Sequence, residues 1–479
     1  MHGERATPWL LCLLISACSV SHRGQQHADA GSRGDTRASD SGPGDTLAAD
    51  GSTAGLKTAV ARDSGTGDPA VAIDAGPATV TVDPGESQPA ADGGSDGTGT
   101  LPSGTSDKID MLFIVDNSPS MREEQAALRD EFPALMAALT TGMRGGKRYA
   151  AAAKDLHIGV VSVNMGIIGI QGIGGCSGVT GVGPSGFGDD GLLLHQPSPD
   201  PAVTGCKASY PTYLSYVAGQ SSPAAVATDF ACVATLGSNG CGFEQQMESG
   251  LKALWPKLDI DALTGLLHNP NRITFLTDSA HPDGKFGHGD VENQGFLRED
   301  SLLVVVLATD EEDCSSATTV HFTPQQYLQP TDPLYNQDLN LRCFYNEQNL
   351  YPATRYVHGL QALRSSSELV FFAAITGVPA DLTDATGVNL ANDAQRNAYY
   401  DRMLSDPRMQ ARPDPTRQPG DGNLVPSCVT PTSNATPPRR IVDVARGFGK
   451  NGRVQSICDA DFAPAVDAIL DMLAPHIAP

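Results

Sequence analysis

The stretch Leu302-Leu303-Val304-Val305-Val306-Leu307-Ala308 is apolar at every position and runs directly into Thr309-Asp310-Glu311-Glu312-Asp313. Side chains of a strand alternate between its two faces, so a strand that is apolar on both must be covered on both. Helices packed on either side of a parallel sheet provide that cover. A second run, Ile109 to Val115, ends in a similar way, in Asp116-Asn117-Ser118-Pro119-Ser120. These runs constrain the folded part of the chain to α/β architecture, a doubly wound, mostly parallel sheet.

Other segments fit the same alternation. The helix expected after the first strand carries Leu128, Phe132, Leu135 and Leu139 at helical spacing, with Arg122, Glu123, Glu124 and Arg129 pointing elsewhere and Pro133 inside it. Further strands are expected at Leu156–Val163, Glu368–Ile375 and Gly452–Ile457. Gly240-Cys241-Gly242 should open a helix that places Phe243, Met247, Leu251 and Leu254 on one face. Arg440–Phe448 reads as helical, and a closing helix buries Phe462, Val466, Ile469, Leu470 and Leu473, with Asp459 or Asp461 as its cap. We expect one domain over residues 107–479, with insertions at about 164–239, 315–365 and 378–438.

The first fifth of the chain is different. Residues 1–18 hold an apolar stretch, Trp9 to Ile15, too short to cross a bilayer, followed by Ser16-Ala17-Cys18. Small residues before a cysteine resemble the lipobox of bacterial lipoproteins, which makes Cys18 the expected lipidation site. Ordinary signal-peptidase cleavage near Ala17 is the alternative. By the same resemblance Ser19, in place of aspartate, favours sorting to the outer membrane or cell surface. Residues 19–106 are rich in Asp, Gly, Ala, Ser and Thr and contain no aromatic residue. They cannot bury enough apolar surface to offset ordering entropy, so a disordered tether is expected.

The net charge is −23, from 55 acidic and 32 basic residues, which argues against nucleic acid as a partner. Of ten cysteines, Cys12 and Cys18 lie in the leader, leaving eight for an oxidising compartment. Sequence order suggests Cys176–Cys206, Cys232–Cys241, Cys314–Cys343 and Cys428–Cys458, though eight cysteines allow about 105 connectivities. No C-x-x-C occurs, which weakens a zinc or thioredoxin-like reading.

The chemistry concentrates after the two apolar strands. Asp116, Ser118 and Ser120 bring an aspartate and two hydroxyls to one loop, a set of hard oxygens suited to Mg²⁺, Ca²⁺ or Mn²⁺. If the two strands are parallel neighbours, Asp310 comes close to that loop at the carboxyl end of the sheet. Glu311, Glu312 and Asp313 either join the site or form a solvated acidic turn pinned by Cys314.

The apolar strand, then Asp116-x-Ser118-x-Ser120, then Thr309-Asp310 after a central strand, resemble a von Willebrand factor type A domain and its metal-ion-dependent adhesion site. The resemblance implies a Rossmann-like fold. It further implies direct coordination by Ser118 and Ser120, with Asp116 and Asp310 binding the ion or its waters. A protein ligand would add an acidic residue. The segments Gly240–Glu244, Gly295-Phe296-Leu297-Arg298 and Ser456-Ile457-Cys458-Asp459 further resemble lipoproteins of myxobacterial type that carry this domain. One departure concerns the second metal loop, where the family has a threonine and this chain has Gly237-Ser238-Asn239-Gly240-Cys241-Gly242-Phe243-Glu244. Ser238 could substitute as a hydroxyl, or Glu244 could reach the ion from a first helical turn.

Other chemistries have less support. No catalytic constellation is evident, and Ser185 lacks the G-x-S-x-G context. His281, Asp283, His288 and Asp290 lie in a polar loop that could take a second cation. Tyr210, Tyr213 and Tyr216 could line a recognition surface or pack an insertion. The expected function is therefore a lipid-anchored envelope module that binds a divalent cation and, through it, a protein. The alternatives are a metal-assisted hydrolase, or a structural envelope protein with a vestigial metal loop.

Overall fold

Alternate residues of the central strands enter opposite layers, so a single sheet carries apolar cores on both faces. The computed structural model describes residues 104–479 except 169, 171–172, 174, 177–185, 258–272, 432, 460–461 and 479. The leader, nearly all of the tether, Ser185 and Asp461 lie outside the described residues. Among the described residues, no helix is long and apolar enough to cross a membrane.

Six strands form the main sheet: β1 (Lys108–Val115), β2 (Asp155–Ser162), β3 (Leu214–Val217), β4 (Leu302–Ala308), β5 (Val370–Thr376) and β6 (Gly452–Ser456). Their spatial order is β6-β5-β4-β1-β2-β3. Every pairing is parallel except that of β2 with the edge strand β3. Within β1, Ile109, Met111, Phe113 and Val115 face one layer, while Leu112 and Ile114 face the other. In β4, Leu302, Val304, Val306 and Ala308 face the first layer, and Leu303, Val305 and Leu307 the second. This is the two-sided burial that continuous apolar runs require.

The helices are α1 (Arg122–Thr141), α2 (Pro223–Ala234), α3 (Gln246–Leu254), α4 (Ala353–Gln361), α5 (Asp393–Ser405), α6 (Arg439–Gly447) and α7 (Ala463–Leu473). The first layer is covered by α1, α2 and α7, and the second by α3 to α6. Leu128, Phe132, Leu135 and Leu139 of α1 are buried as their spacing predicts, and Pro133 sits on the exposed side. Phe132 stacks on Phe230 of α2 with ring centroids 3.4 Å apart, and Phe113 of β1 meets the same ring at 4.7 Å. Helix α1 ends at Gly142 in the left-handed region (φ 65°), whose N–H bonds Ala138 O.

Several expectations change. The stretch at 164–239 contains β3 and α2 as well as loops. Its helix starts with Ser222 as the N-cap and Pro223 in the first turn, a pairing suited to a helix start, and its alanines obscure the apolar period. The stretches at 315–365 and 378–438 likewise contribute α4 and α5, whose Tyr356, Leu360, Tyr400 and Met403 fill the second layer. Helix α3 starts at Gln246, later than expected, and Phe243 leaves its face to pack on Phe322 beside Cys176 and Cys241. Phe462 precedes α7 as its N-cap residue, without a side-chain cap, so Asp459 does not hold that position.

The disulfides are Cys176–Cys241, Cys206–Cys232, Cys314–Cys343 and Cys428–Cys458. The expected Cys176–Cys206 and Cys232–Cys241 pairs are therefore exchanged. Cys232 lies on α2 in the first layer with Cys206 beside it, whereas Cys176 and Cys241 belong to a separate cluster. Nearness in sequence did not decide the partners.

Candidate metal centre

From β1 the chain builds outward in both directions, through β2 and β3 on one side and β4 to β6 on the other. In an open α/β sheet, the crevice at such a switch point lies at the carboxyl ends of the flanking strands. Val115 pairs with Ala308 there, so Asp116 and Thr309 leave adjacent strands side by side.

Asp116 has 0% exposure. Its Oδ1 accepts the Ser118 N–H (2.8 Å) and its Oδ2 accepts the Thr309 hydroxyl (2.6 Å). The Gln125 amide donates to Asp116 O (2.7 Å) and to Gly237 O (2.9 Å), joining the first loop to the segment expected to form the second. Gly240 N–H bonds Asn117 O at 2.7 Å, and a Cβ on Gly240 would lie 2.2 Å from Asn117 Oδ1. Only glycine permits that approach. The Ser118 and Ser120 hydroxyl oxygens are 3.1 Å apart, with Ser118 buried and Ser120 exposed.

Thr309 is the central hydrogen-bonding group. Besides donating to Asp116, its hydroxyl accepts the Gln246 amide (3.0 Å) and the Glu311 N–H (3.3 Å). Asp310 is 1% exposed, and its Oδ1 receives no hydrogen bond. Burial, with the nearby charges of Asp116 and Glu311, pushes its carboxyl up to about 9, against the opposing effect of the Ser120 hydroxyl. Glu311 is pushed up to about 7 by burial and Asp116, while a hydrogen bond with Glu244 opposes the shift. Burial first, then Glu311 and Asp116, raise Glu244 well above the ordinary range. Burial also raises Asp116, although bonds from Thr309 and Ser118 favour its charged form.

The structure thus brings Asp116, Ser118, Ser120, Asp310, Glu311 and Glu244 together. Glu244 reaches the group from the loop before α3, rather than from its first turn. Ser238 is half-buried and makes no hydrogen bond among the described residues. Glu312 and Asp313 do not form a solvated turn. Glu312 accepts Arg440 N–H at 2.9 Å, and Asp313 bonds Arg440 (3.1 Å), Met247 N–H (3.0 Å) and Ser315 (2.6 Å). Above the group opens a cavity of about 540 Å³, lined in part by Ser118, Ser120, Glu244, Glu311, Phe344 and Thr436.

Among the described residues, no three His, Cys, Asp or Glu side chains are placed to hold one ion by themselves. The set still fits a hard cation, because the free Asp310 oxygen and the two serine hydroxyls supply oxygen donors and no described cationic side chain pairs with Asp310. The polar loop at 281–290 does not form one site. His281 pairs with Asp278 (2.9 Å), His288 with Asp190 (3.1 Å) and Glu292 (2.8 Å), and Asp290 accepts Lys257 N–H. Tyr210 and Tyr216 are core residues, and Tyr213 packs against Phe296 and His157.

Sequence reading missed Thr309 as a bridge, the amides of Gln125 and Gln246, and the inward placement of Glu124. Glu124 was expected to point away from the core, but it is 4% exposed. Its spacing of four from Leu128 and eight from Phe132 was the available signal. Comparison of the chain with protein-family models, curated proteins and solved structures finds no match.

Proposed function

We propose that the folded unit is a non-enzymatic binding module of von Willebrand factor A type, which holds Mg²⁺, Ca²⁺ or Mn²⁺ at the carboxyl end of β1 and β4. Ser118, Ser120 and Asp310 are the donors, and Asp116 orients the loop. The observation that carries this reading is the buried, unpartnered Asp310 Oδ1 beside a serine-rich loop. A buried carboxylate without a partner needs a proton or a cation, and the neighbouring hydroxyls favour a hard ion. The bound ion would supply positive charge for an acidic residue of a protein ligand entering the cavity. Lipidation at Cys18 and the acidic tether would present the module outside the cell membrane.

Calorimetric titration of the chain with each ion tests the reading. Binding heat should appear in the parent and vanish in Asp116→Ala and Ser118→Ala. If both variants bind as the parent does, these residues are not the site; absence of heat in the parent would mark the loop as vestigial.

A metal-assisted hydrolase is the second reading, favoured by the hydrogen-bonded Glu244–Glu311 pair facing the cavity. One of the pair would act as general base toward water. Ester or phosphate hydrolysis abolished by Glu244→Gln would support it, and lack of turnover across both substrate classes would remove it.

A further inference from the structure

We infer that Lys252 and Asp190 join in an intramolecular isopeptide bond, with His288 as the acid–base group that closes it. The link is independent of the candidate metal centre, whose cavity none of these three residues lines.

Lys252 stands in the last turn of α3, where a lysine ordinarily reaches water beside the helix end. Here it is 0% exposed, and among the described residues no other lysine is buried. Its Nζ lies 5.9 Å from the ring centroid of Phe187 and 5.6 Å from that of Phe275, so two aromatic faces flank the amine. Nζ donates to Asp190 Oδ1 (2.5 Å) and to Gly284 O (2.8 Å). Asp190 is itself 2% exposed.

The backbone is shaped for this encounter. Asp190 adopts φ 54°, in the left-handed region, and no other non-glycine among the described residues does so. At the next position, a Cβ on Gly191 would lie 2.8 Å from Ser249 O. The loop is therefore pressed against α3 at the turn that carries Lys252.

A buried ion pair is costly, because both charges leave water. Condensation removes both. One proton passes from Nζ to the carboxylate, and the neutral amine attacks Cγ. The Nζ–Cγ bond forms, the Cγ–Oδ2 bond breaks, and ammonium plus carboxylate become amide plus water. No oxidant or cofactor is needed. Oδ2 is the departing oxygen because His288 Nε2 meets it at 3.1 Å. His288 Nδ1 donates to Glu292 Oε2 at 2.8 Å, which orients the ring. Nε2 is then placed to give a proton to the leaving oxygen and to recover one from Nζ. The bond would close residues 190–252 into a covalent loop around β3, α2 and the Cys206–Cys232 disulfide. Unlike that disulfide, it survives reduction.

Tryptic mapping of the reduced, alkylated chain tests this. The peptides holding Asp190 and Lys252 should appear as one branched species, lighter by one water than their sum, with no cleavage after Lys252. In reducing, denaturing gels the parent should run ahead of Lys252→Arg, which cannot close the loop. His288→Gln keeps both partners and should close the bond about 100-fold more slowly in newly made chain. Cleavage after Lys252 with a separate Asp190 peptide in the parent overturns the inference, and that result requires no variant to fold. A branched Lys252 peptide that persists in Asp190→Ala would overturn the pairing. Closure in His288→Gln at the parent's rate would overturn the role given to His288.

Discussion

The Thr309 hydroxyl donates a 2.6 Å hydrogen bond to Asp116 Oδ2, joining residues 193 apart in the chain at the ends of two adjacent parallel strands. That bond fixes one carboxylate oxygen of Asp116 while the Ser118 N–H holds the other, and Ser118 and Ser120 line the cavity. Thr309→Val keeps the shape and removes the bridge, leaving buried acceptor and donor groups unpaired. We expect a loss of about 1–3 kcal/mol in urea unfolding, with Thr309→Ser recovering most of it. An unchanged midpoint for Thr309→Val would show that the bridge contributes nothing.

Stability of the cation-free chain should fall as pH rises. Glu311 and Asp310 are held above their ordinary values, at about 7 and about 9, so the folded state retains protons that the unfolded chain has already released. Unfolding then releases protons, and the stability these carboxyls contribute at low pH is lost from the ordinary carboxylate range upward through about 7 and on toward about 9. Thermal melts in chelator should decline across this window, and added Ca²⁺ should restore them most at the alkaline end. A Tm that climbs with pH in chelator contradicts these assignments.

At the opposite end of β1, Asp110 is fully buried and anchors a charge network. It accepts Arg298 Nε (2.8 Å), Arg298 N–H (2.6 Å) and Arg364 Nη2 (3.3 Å), and it also accepts the Ser301 hydroxyl. Burial lowers Arg364 to about 10, with Asp110 opposing the shift. Asp110→Ala leaves the buried Arg364 guanidinium without its carboxylate, while Arg298 keeps Asp155 (2.7 Å), and should cost about 3–5 kcal/mol, measured by denaturant unfolding. A loss below about 1 kcal/mol would mean the arginines find water instead.

Peptide mapping of the unreduced chain should recover Cys176 linked to Cys241 and Cys206 linked to Cys232. Replacing Cys206 and Cys232 together by serine should cost about 2–4 kcal/mol while leaving the Asp116–Thr309 hydrogen bond intact. Recovery of a Cys232–Cys241 peptide would contradict the arrangement around α2.

Much of the site was legible before the fold. Asp116, Ser118, Ser120 and Asp310 follow short, largely apolar runs of strand length, and central strands gather loops at their carboxyl ends. Glu124 was misplaced because charge was read as exposure, although its helical spacing matches Leu128 and Phe132. The edge strand β3 and helix α2 were hidden in a glycine- and alanine-rich stretch where local patterning is weak.

By itself, the sequence determined the α/β class, the central strands and the loop that bears the serines, because these rest on the periodicity of burial along one segment. Tertiary structure alone decided that Thr309 bridges to Asp116, that Glu244 rather than Ser238 faces the carboxylates, and that Arg440 withdraws Glu312 and Asp313 from them. It also chose the partners of Cys176 and Cys232. The reason is the same in each case. Hydrogen bonds, charge interactions and disulfides act over a few ångströms, and which distant segments come that close depends on how the layers pack.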